Sequence, residues 1–219
     1  MLNTVTTPAI RRPAPLWPIQ LPAPEGSNLH AALEQRRTIR QIAPTPLPAR
    51  LLSQLLWAAW GVNRKNGPFG QPGRTAASAS NSQEIDLYVA LPEAAYLYDA
   101  AEHRLMPVAT GDLRQQAMTP GQRHLGGPAP VQLIYVADIH RLANTAGFQE
   151  PGLQDPEVQK AYYYVDTGLI AGNVYLFAAA QGLAAWFHNC DRAALAEGLQ
   201  LRRRQRVLFA QSVGYPEAA

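Results

Sequence analysis

Arg36-Arg37-Thr38-Ile39-Arg40 sets three guanidinium groups and a hydroxyl within five positions. A guanidinium is a rigid, permanently charged fork that meets carboxylate or phosphate oxygens two at a time. Two or three converging on one phosphate can offset its charge, and Thr38 would add a neutral donor. The same arginines end a short helical pattern, so they can equally complement a helix C-terminus and project into water. A nucleic-acid patch is the third reading, and it predicts retention on DNA that falls steeply with salt. Against it, basic residues outside this cluster and Arg202, Arg203, Arg204 and Arg206 are scattered, without interleaved aromatics.

A second constellation precedes a strand: Ala77-Ser78-Ala79-Ser80-Asn81-Ser82-Gln83. Asn and Gln side chains both donate and accept, which suits the edge of a heteroaromatic ring. Small residues at 77–79 let backbone approach a flat ligand, although a Ser-rich loop is also a common linker. Other chemistry is missing. There is no Gly-x-Gly-x-x-Gly after a strand, no phosphate loop and no Gly-x-Ser-x-Gly elbow. The five histidines stand apart, so no zinc site is expected. Cys190, the only cysteine, reads as a small buried apolar residue and excludes an internal disulfide. Any catalysis must come from something the protein holds.

The elements that would position these residues alternate irregularly between helix and strand. Of 219 residues, 47% are hydrophobic and 16% charged, enough for one sizeable core and low enough in charge to suggest a covered surface. The net charge of +3 is mild. Residues 1–26 are proline-rich and predict an extended arm, with a single domain over 27–219. Helices are predicted over 29–37, 49–61, 156–181 and 192–199, and a helix start at 111–118. Strands are predicted over 85–91, 131–138, 183–188 and 205–215, with a hairpin turning at 99–103. Residues 63–83 form a loop too long for a mere connector. The apolar run 168–187 is interrupted by Asn173, Gln181 and Gly182, which favours a core helix over a membrane span. The pattern argues for an α+β sandwich rather than a doubly wound sheet, and the lone cysteine fits a cytoplasmic setting.

Taken in order, the two stretches resemble the FMN-dependent nitroreductase family, which opens on Arg-Arg/His-Ser-x-Arg/Lys and continues with Pro-Ser-x-x-Asn-x-Gln before a strand. "LSQLLWAAWGVNR", "YLYDAAEHRLMPVATGD" and "AQSVGYP" are similar to its branch of thiazole- and oxazole-forming (azoline) dehydrogenases, and "GLAAWFHNCD" to its Gly-Leu-Gly-x-x-Trp-x-Gly-Gly-x-Asp. The resemblance covers about residues 29–216. It implies a central mixed or antiparallel sheet flanked by helices, in an intertwined homodimer with FMN at each of two subunit interfaces. Arg36, Arg37, Thr38 and Arg40 would hold the phosphate and ribityl chain. Ala77, Ser78, Ala79, Asn81 and Gln83 would serve the flavin of the other subunit. Gln122 would meet the pyrimidine edge, and the backbone of Phe187, His188 and Asn189 would lie near N5. Helix 156–181 would form the dimer core.

The implied activity is ping-pong hydride transfer from NAD(P)H, NADPH included, through FMN to a nitroaromatic, quinone or similar conjugated acceptor, with no catalytic side chain, metal, nucleic acid or membrane. Alternatives are an FMN-dependent dehydrogenase of an azoline-type intermediate, with Lys160, Tyr162, Tyr163 or Tyr164 as base, and a flavin-binding protein without turnover. Three departures stand out. Ala77 replaces the usual proline, and His188 and Asn189 replace a glycine pair. Where many members continue into an extension with another basic residue on the phosphate, this sequence reads "GYPEAA". Either Arg36, Arg37 and Arg40 suffice or affinity for FMN is reduced; Arg202, Arg203, Arg204 and Arg206 read as a solvated turn, with substitution on the phosphate as the alternative.

Overall fold

Residues 131–138, apolar on both alternating sets, become the centre of a sheet. A computed structural model describes residues 18–21, 29–125 and 128–218. In it β7 (Val131–Asp138) is buried along its whole length. It lies between β4 (Ile85–Ala90) and β9 (Gln205–Gly214). Beyond β4 come β5 (Ala94–Asp99), β6 (Arg104–Thr110) and the two-residue β1 (Ile19–Gln20); beyond β9 comes β8 (Ala184–His188). Every neighbouring pair is antiparallel. The anticipated mixed or antiparallel sheet is therefore antiparallel throughout. Of the anticipated arm 1–26, β1 lies at the sheet edge, and 1–17 and 22–26 fall outside the described residues.

Period-two alternation gives this sheet two cores. Leu87, Val89, Leu133 and Tyr135 face α2 (Ala49–Trp60) and α4 (Pro156–Ala180), packing with Leu55, Leu56, Ile170 and Val174. Tyr88, Ala90, Ile134 and Val136 face the other way, toward Leu195 of α5 (Arg192–Gly198), Leu199 and Cys190. Asp155 caps α4 by accepting the Glu157 N–H, Pro156 fills its first position, and Gly182 at φ 65° turns the chain out of it. Asp191 caps α5 by accepting the Ala194 N–H.

Four local differences have plain causes. Helix α1 (Leu29–Gln35) stops before Arg36, which lies beyond its last turn. Residues 111–118 make isolated turns, not a helix: the Gln116 and Met118 N–H groups bond at i to i+3, the Ala117 N–H bonds the Leu113 carbonyl, and Asp112 accepts the Arg114 N–H and pairs with its guanidinium at 2.7 Å. The long 63–83 loop contains a small hairpin, β2 (Val62–Arg64) with β3 (Gly73–Arg74), and two single turns. Helix α3 (Ile139–Ala143), capped by Asp138, is too short to show a period. No helix among the described residues is long and apolar enough to cross a membrane.

Leu55 is 0% exposed and wedged between α2 and the sheet. Leu55→Ala should lower stability by about 2–5 kcal/mol, measured as an earlier denaturant midpoint with an unchanged m-value.

Candidate functional site

The arginine segment leaves α1 and is threaded against the end of the sheet. The Ile39 N–H donates to the Ala185 carbonyl at 3.0 Å, and Ile42 bridges to Pro216 beyond β9. With Ile39 turned inward, its neighbours Arg36, Arg37, Thr38 and Arg40 are exposed. Arg36 lies over the Tyr175 ring and Arg40 over Trp186, at 5.6 and 5.7 Å from the ring centroids. Among the described residues, none of the three arginines has a carboxylate within 4.0 Å. Arg36 and Arg40 are thus anchored through carbon, and the charge of all three is left uncompensated. Arg37 and Ile39 also line a cavity of about 260 Å³ with Ala179, Gly182 and Leu183.

Tyr175 of α4 ties this segment to the end of β8. Its hydroxyl accepts the Phe187 N–H at 2.8 Å and lies 3.1 Å from Thr38 Oγ1, to which it can give its own proton. The structure thus brings Thr38 and Phe187 together. His188 turns its ring inward: Nε2 is 2.8 Å from Ser212 Oγ and Nδ1 2.8 Å from the Asn189 carbonyl. Burial holds its pKa below the usual imidazole range, so near neutral pH it is an uncharged packing group rather than an acid. Neither His188 nor Asn189 has positive φ, so no glycine is needed at either position. Asn189 is exposed just past the last ladder pair.

The 77–83 loop is built differently. Ser80, Asn81 and Gln83 all sit in the left-handed region, at φ 50°, 53° and 51°. The Asn81 amide donates to the carbonyls of Pro68, Gln71 and Pro72, and its Oδ1 accepts from Gln83 Nε2. Gln83 also donates to the Pro72 carbonyl at 2.6 Å and accepts from Arg74 Nε at 2.6 Å. Both amides are engaged in shaping the loop, leaving exposed Ala77 and half-buried Ser78 as its outward edge. The Ala79 N–H is held by Asp166 of α4 at 2.8 Å, and Ser80 Oγ donates to the Gly147 carbonyl at 2.8 Å. A Cβ at Gly147 would stand 2.7 Å from Ser80, so only glycine permits that approach. Beside the loop is a cavity of about 520 Å³ lined by Phe69, Arg74, Asn81, Gln83 and Arg141 among others.

The remaining candidates disperse. Gln122, in the turn after Thr119, accepts from the Thr119 N–H and hydroxyl at 3.0 and 2.9 Å. Tyr163 is buried in the core, Tyr162 packs edge-on to Phe148, Tyr164 packs on Phe209, and Lys160 pairs with Glu157 on the surface. Cys190 is buried, and burial pushes its thiol up to about 11, which makes it inert. Arg202 pairs with Asp138 at 3.0 Å. Arg206 and Val213, whose β8 partner is Ala185, are seven residues apart on β9, about 23 Å. Within the protomer the second basic cluster is therefore remote from the first. Tyr175, Asp166, Glu84 and Arg74 are the shaping residues that sequence reasoning missed; an acid at 166 beyond the polar first turns of an apolar helix was the one available signal.

Fold and site together define an α+β sheet protein with an anion-receptive cationic edge. The chain belongs to the nitroreductase family, whose model matches residues 33–215. A candidate nitroreductase of Ralstonia eutropha superposes with a TM-score of 0.80 at 34% identity, over 92% of this chain and 90% of that one. A candidate nitroreductase of Methanocaldococcus jannaschii is 28% identical over 75% of this chain and 80% of its own length. Fold likeness extends to the microcin synthetase McbBCD complex of E. coli, with a TM-score of 0.67 at 14% identity over 99% of this chain and 79% of that one. An FMN-dependent nitroreductase of Clostridium difficile gives 0.55 at 16% identity, over 87% and 88%.

Tyr175→Phe removes the acceptor for the Phe187 N–H and the partner of Thr38. It should cost about 1–3 kcal/mol and speed amide exchange through 36–40. Unchanged exchange in that segment would show that Tyr175 does not hold it.

Proposed function

We propose that this protein is a homodimeric FMN-dependent oxidoreductase acting on a nitroaromatic, quinone or similar conjugated acceptor with NAD(P)H as donor. The observation that carries this reading is the uncompensated edge formed by Arg36, Arg37 and Arg40 beside Thr38. Solvated charge runs usually wander, but here Ile39 and Tyr175 fix the backbone so that three forks and a hydroxyl leave one short segment. That donor set fits a phosphate monoester. When bound, FMN would supply two-electron chemistry between the nicotinamide and the acceptor.

The chain's own residues bind and orient. Arg36, Arg37, Thr38 and Arg40 would hold phosphate and ribityl oxygens. The Phe187 N–H is taken by Tyr175, so Asn189, beyond the strand, is the better-placed backbone donor for the ring. Ala77, Ser78 and Ala79 would offer a small-residue edge to the cofactor of a second protomer, with Asn81 and Gln83 shaping that edge. Gln122 would contribute its amide nitrogen. The outward face of α4 supports the dimer: Val165 is 59% and Leu169 45% exposed, and an added Cβ at Gly168 or Gly172 meets nothing. The tyrosines and Lys160 offer no positioned base, which weighs against azoline oxidation.

Purified protein should show a flavin spectrum, or gain one with added FMN, and bleach on anaerobic mixing with NADPH or NADH. Arg36→Ala and Arg40→Ala should each weaken FMN binding roughly 10- to 100-fold, the effect of losing a charged hydrogen bond. Flavin that binds but is not bleached would leave a carrier without turnover. Full occupancy in both variants would remove the arginine assignment.

A further inference from the structure

Glu84 is 0% exposed, where the 78–83 loop enters β4, and has no ion pair among the described residues. Ser82 Oγ donates to its Oε2 at 2.6 Å, while its buried Oε1 accepts no hydrogen bond. The acid whose charge acts on it is a second carboxyl, Asp166 of α4, itself 3% exposed. Asp166 Oδ2 in turn accepts the Ala79 N–H at 2.8 Å. Two carboxylates in buried contact cannot both be charged. An oxygen without a donor, beside an acceptor, is where a proton belongs.

We propose that Glu84 is held as a neutral carboxylic acid that donates through Oε1 to Asp166, and that this shared proton fixes the 78–83 loop in its left-handed conformation. The two are positioning residues, acting through the backbone of Ala79. Three left-handed non-glycine residues persist only where the surroundings hold them. Here the Gln83 N–H is tied to Ser78 Oγ at 3.0 Å, Ser80 is tied to Gly147, and Ala79 depends on Asp166. Cations packed nearby are otherwise engaged. Arg74 from β3 bonds Gln83 Oε1, and Arg141 from α3 bonds the Gln83 carbonyl and the Asp86 carboxylate. Asp138 gives Glu84 only its N–H, to the backbone carbonyl.

Burial and the Asp166 charge raise Glu84 from 4.5 to about 8, and burial raises Asp166 too. An acid whose folded-state pKa lies above its unfolded value binds its proton more tightly when folded. Stability should therefore fall as pH rises from about 4.5 to about 8, then level off.

The test is the thermal midpoint of the full chain from pH 5 to 9, with amide exchange of the 77–83 segment at pH 9. Glu84→Gln keeps a donor toward Asp166 that cannot ionise. Its midpoint should be flatter with pH than wild type, and exchange at Ala79 at pH 9 should be about tenfold slower, one pH unit above the Glu84 value. Parallel pH slopes would overturn the proposal. If Glu84→Gln does not fold, Asp166→Asn decides: its amide can donate to an ionised Glu84, so it too should flatten the slope, and a wild-type slope would overturn the shared proton. Whether FMN binds does not enter these measurements, so this proposal and the flavin reading fail separately.

Discussion

Helix α4 has to lie flat across one face of the sheet, and the candidate site depends on that contact. Its 25 residues run about 37 Å, with Ile170, Ala171, Val174, Phe177 and Ala178 buried beneath it. The Gln211 amide donates to the Ala171 carbonyl, and its oxygen accepts the Tyr135 hydroxyl, so the seat of α4 is hydrogen-bonded as well as apolar. Close-packed interiors do not slide by degrees. The same helix holds Ala79 through Asp166, and both Thr38 and Phe187 through Tyr175. A shift of α4 would disturb both candidate segments at once.

The electrostatics divide along the same helix. Toward Tyr175, charge is exposed and uncompensated: Arg36 and Arg40 rest on aromatic faces, with Arg37 beside them. Toward Asp166, charge is buried and minimised: two carboxyls are crowded together beneath a loop whose amides are internally satisfied. The first end is suited to binding a charged group and the second to holding a shape. This explains why Asn81 and Gln83, chosen from sequence for amides that could read a ring edge, turn out to be bonded to Pro68, Pro72 and Arg74.

Period and punctuation made most of the framework legible. Strand 85–91 announced itself by alternation, 131–138 by a run apolar on both faces and 205–215 as a closing strand, and α4 by its length and Gly182 stop. Residues 111–118 end in isolated turns although Asp112 accepts the Arg114 N–H as a helix cap would, and α3 was invisible because five residues carry no period. The arginine segment was legible because arginine chemistry is readable residue by residue. The partnership of Glu84 with Asp166 was not: they lie 82 positions apart, and only the sheet and α4 bring them together. Tyr175 was hidden for the same reason, as an apolar-helix tyrosine whose hydroxyl reaches two other elements.

Geometry also says where a second chain would have to sit. At about 100° per residue, Tyr162, Val165 and Leu169 share one outward stripe of α4, opposite its buried side. Asp166 and Tyr175 are nine residues apart, half a turn out of phase and about 13.5 Å along the axis, so they fall on opposite flanks of that stripe. The loop held by Asp166 and the arginines near Tyr175 are thus kept on different sides of one helix within a protomer. A second copy of α4 laid on the apolar stripe would cover Val165 and Leu169. A two-fold axis parallel to α4 would then bring the loop flank of each chain toward the arginine flank of the other. The exposed apolar stripe and the divided site would then be resolved by the same act of pairing.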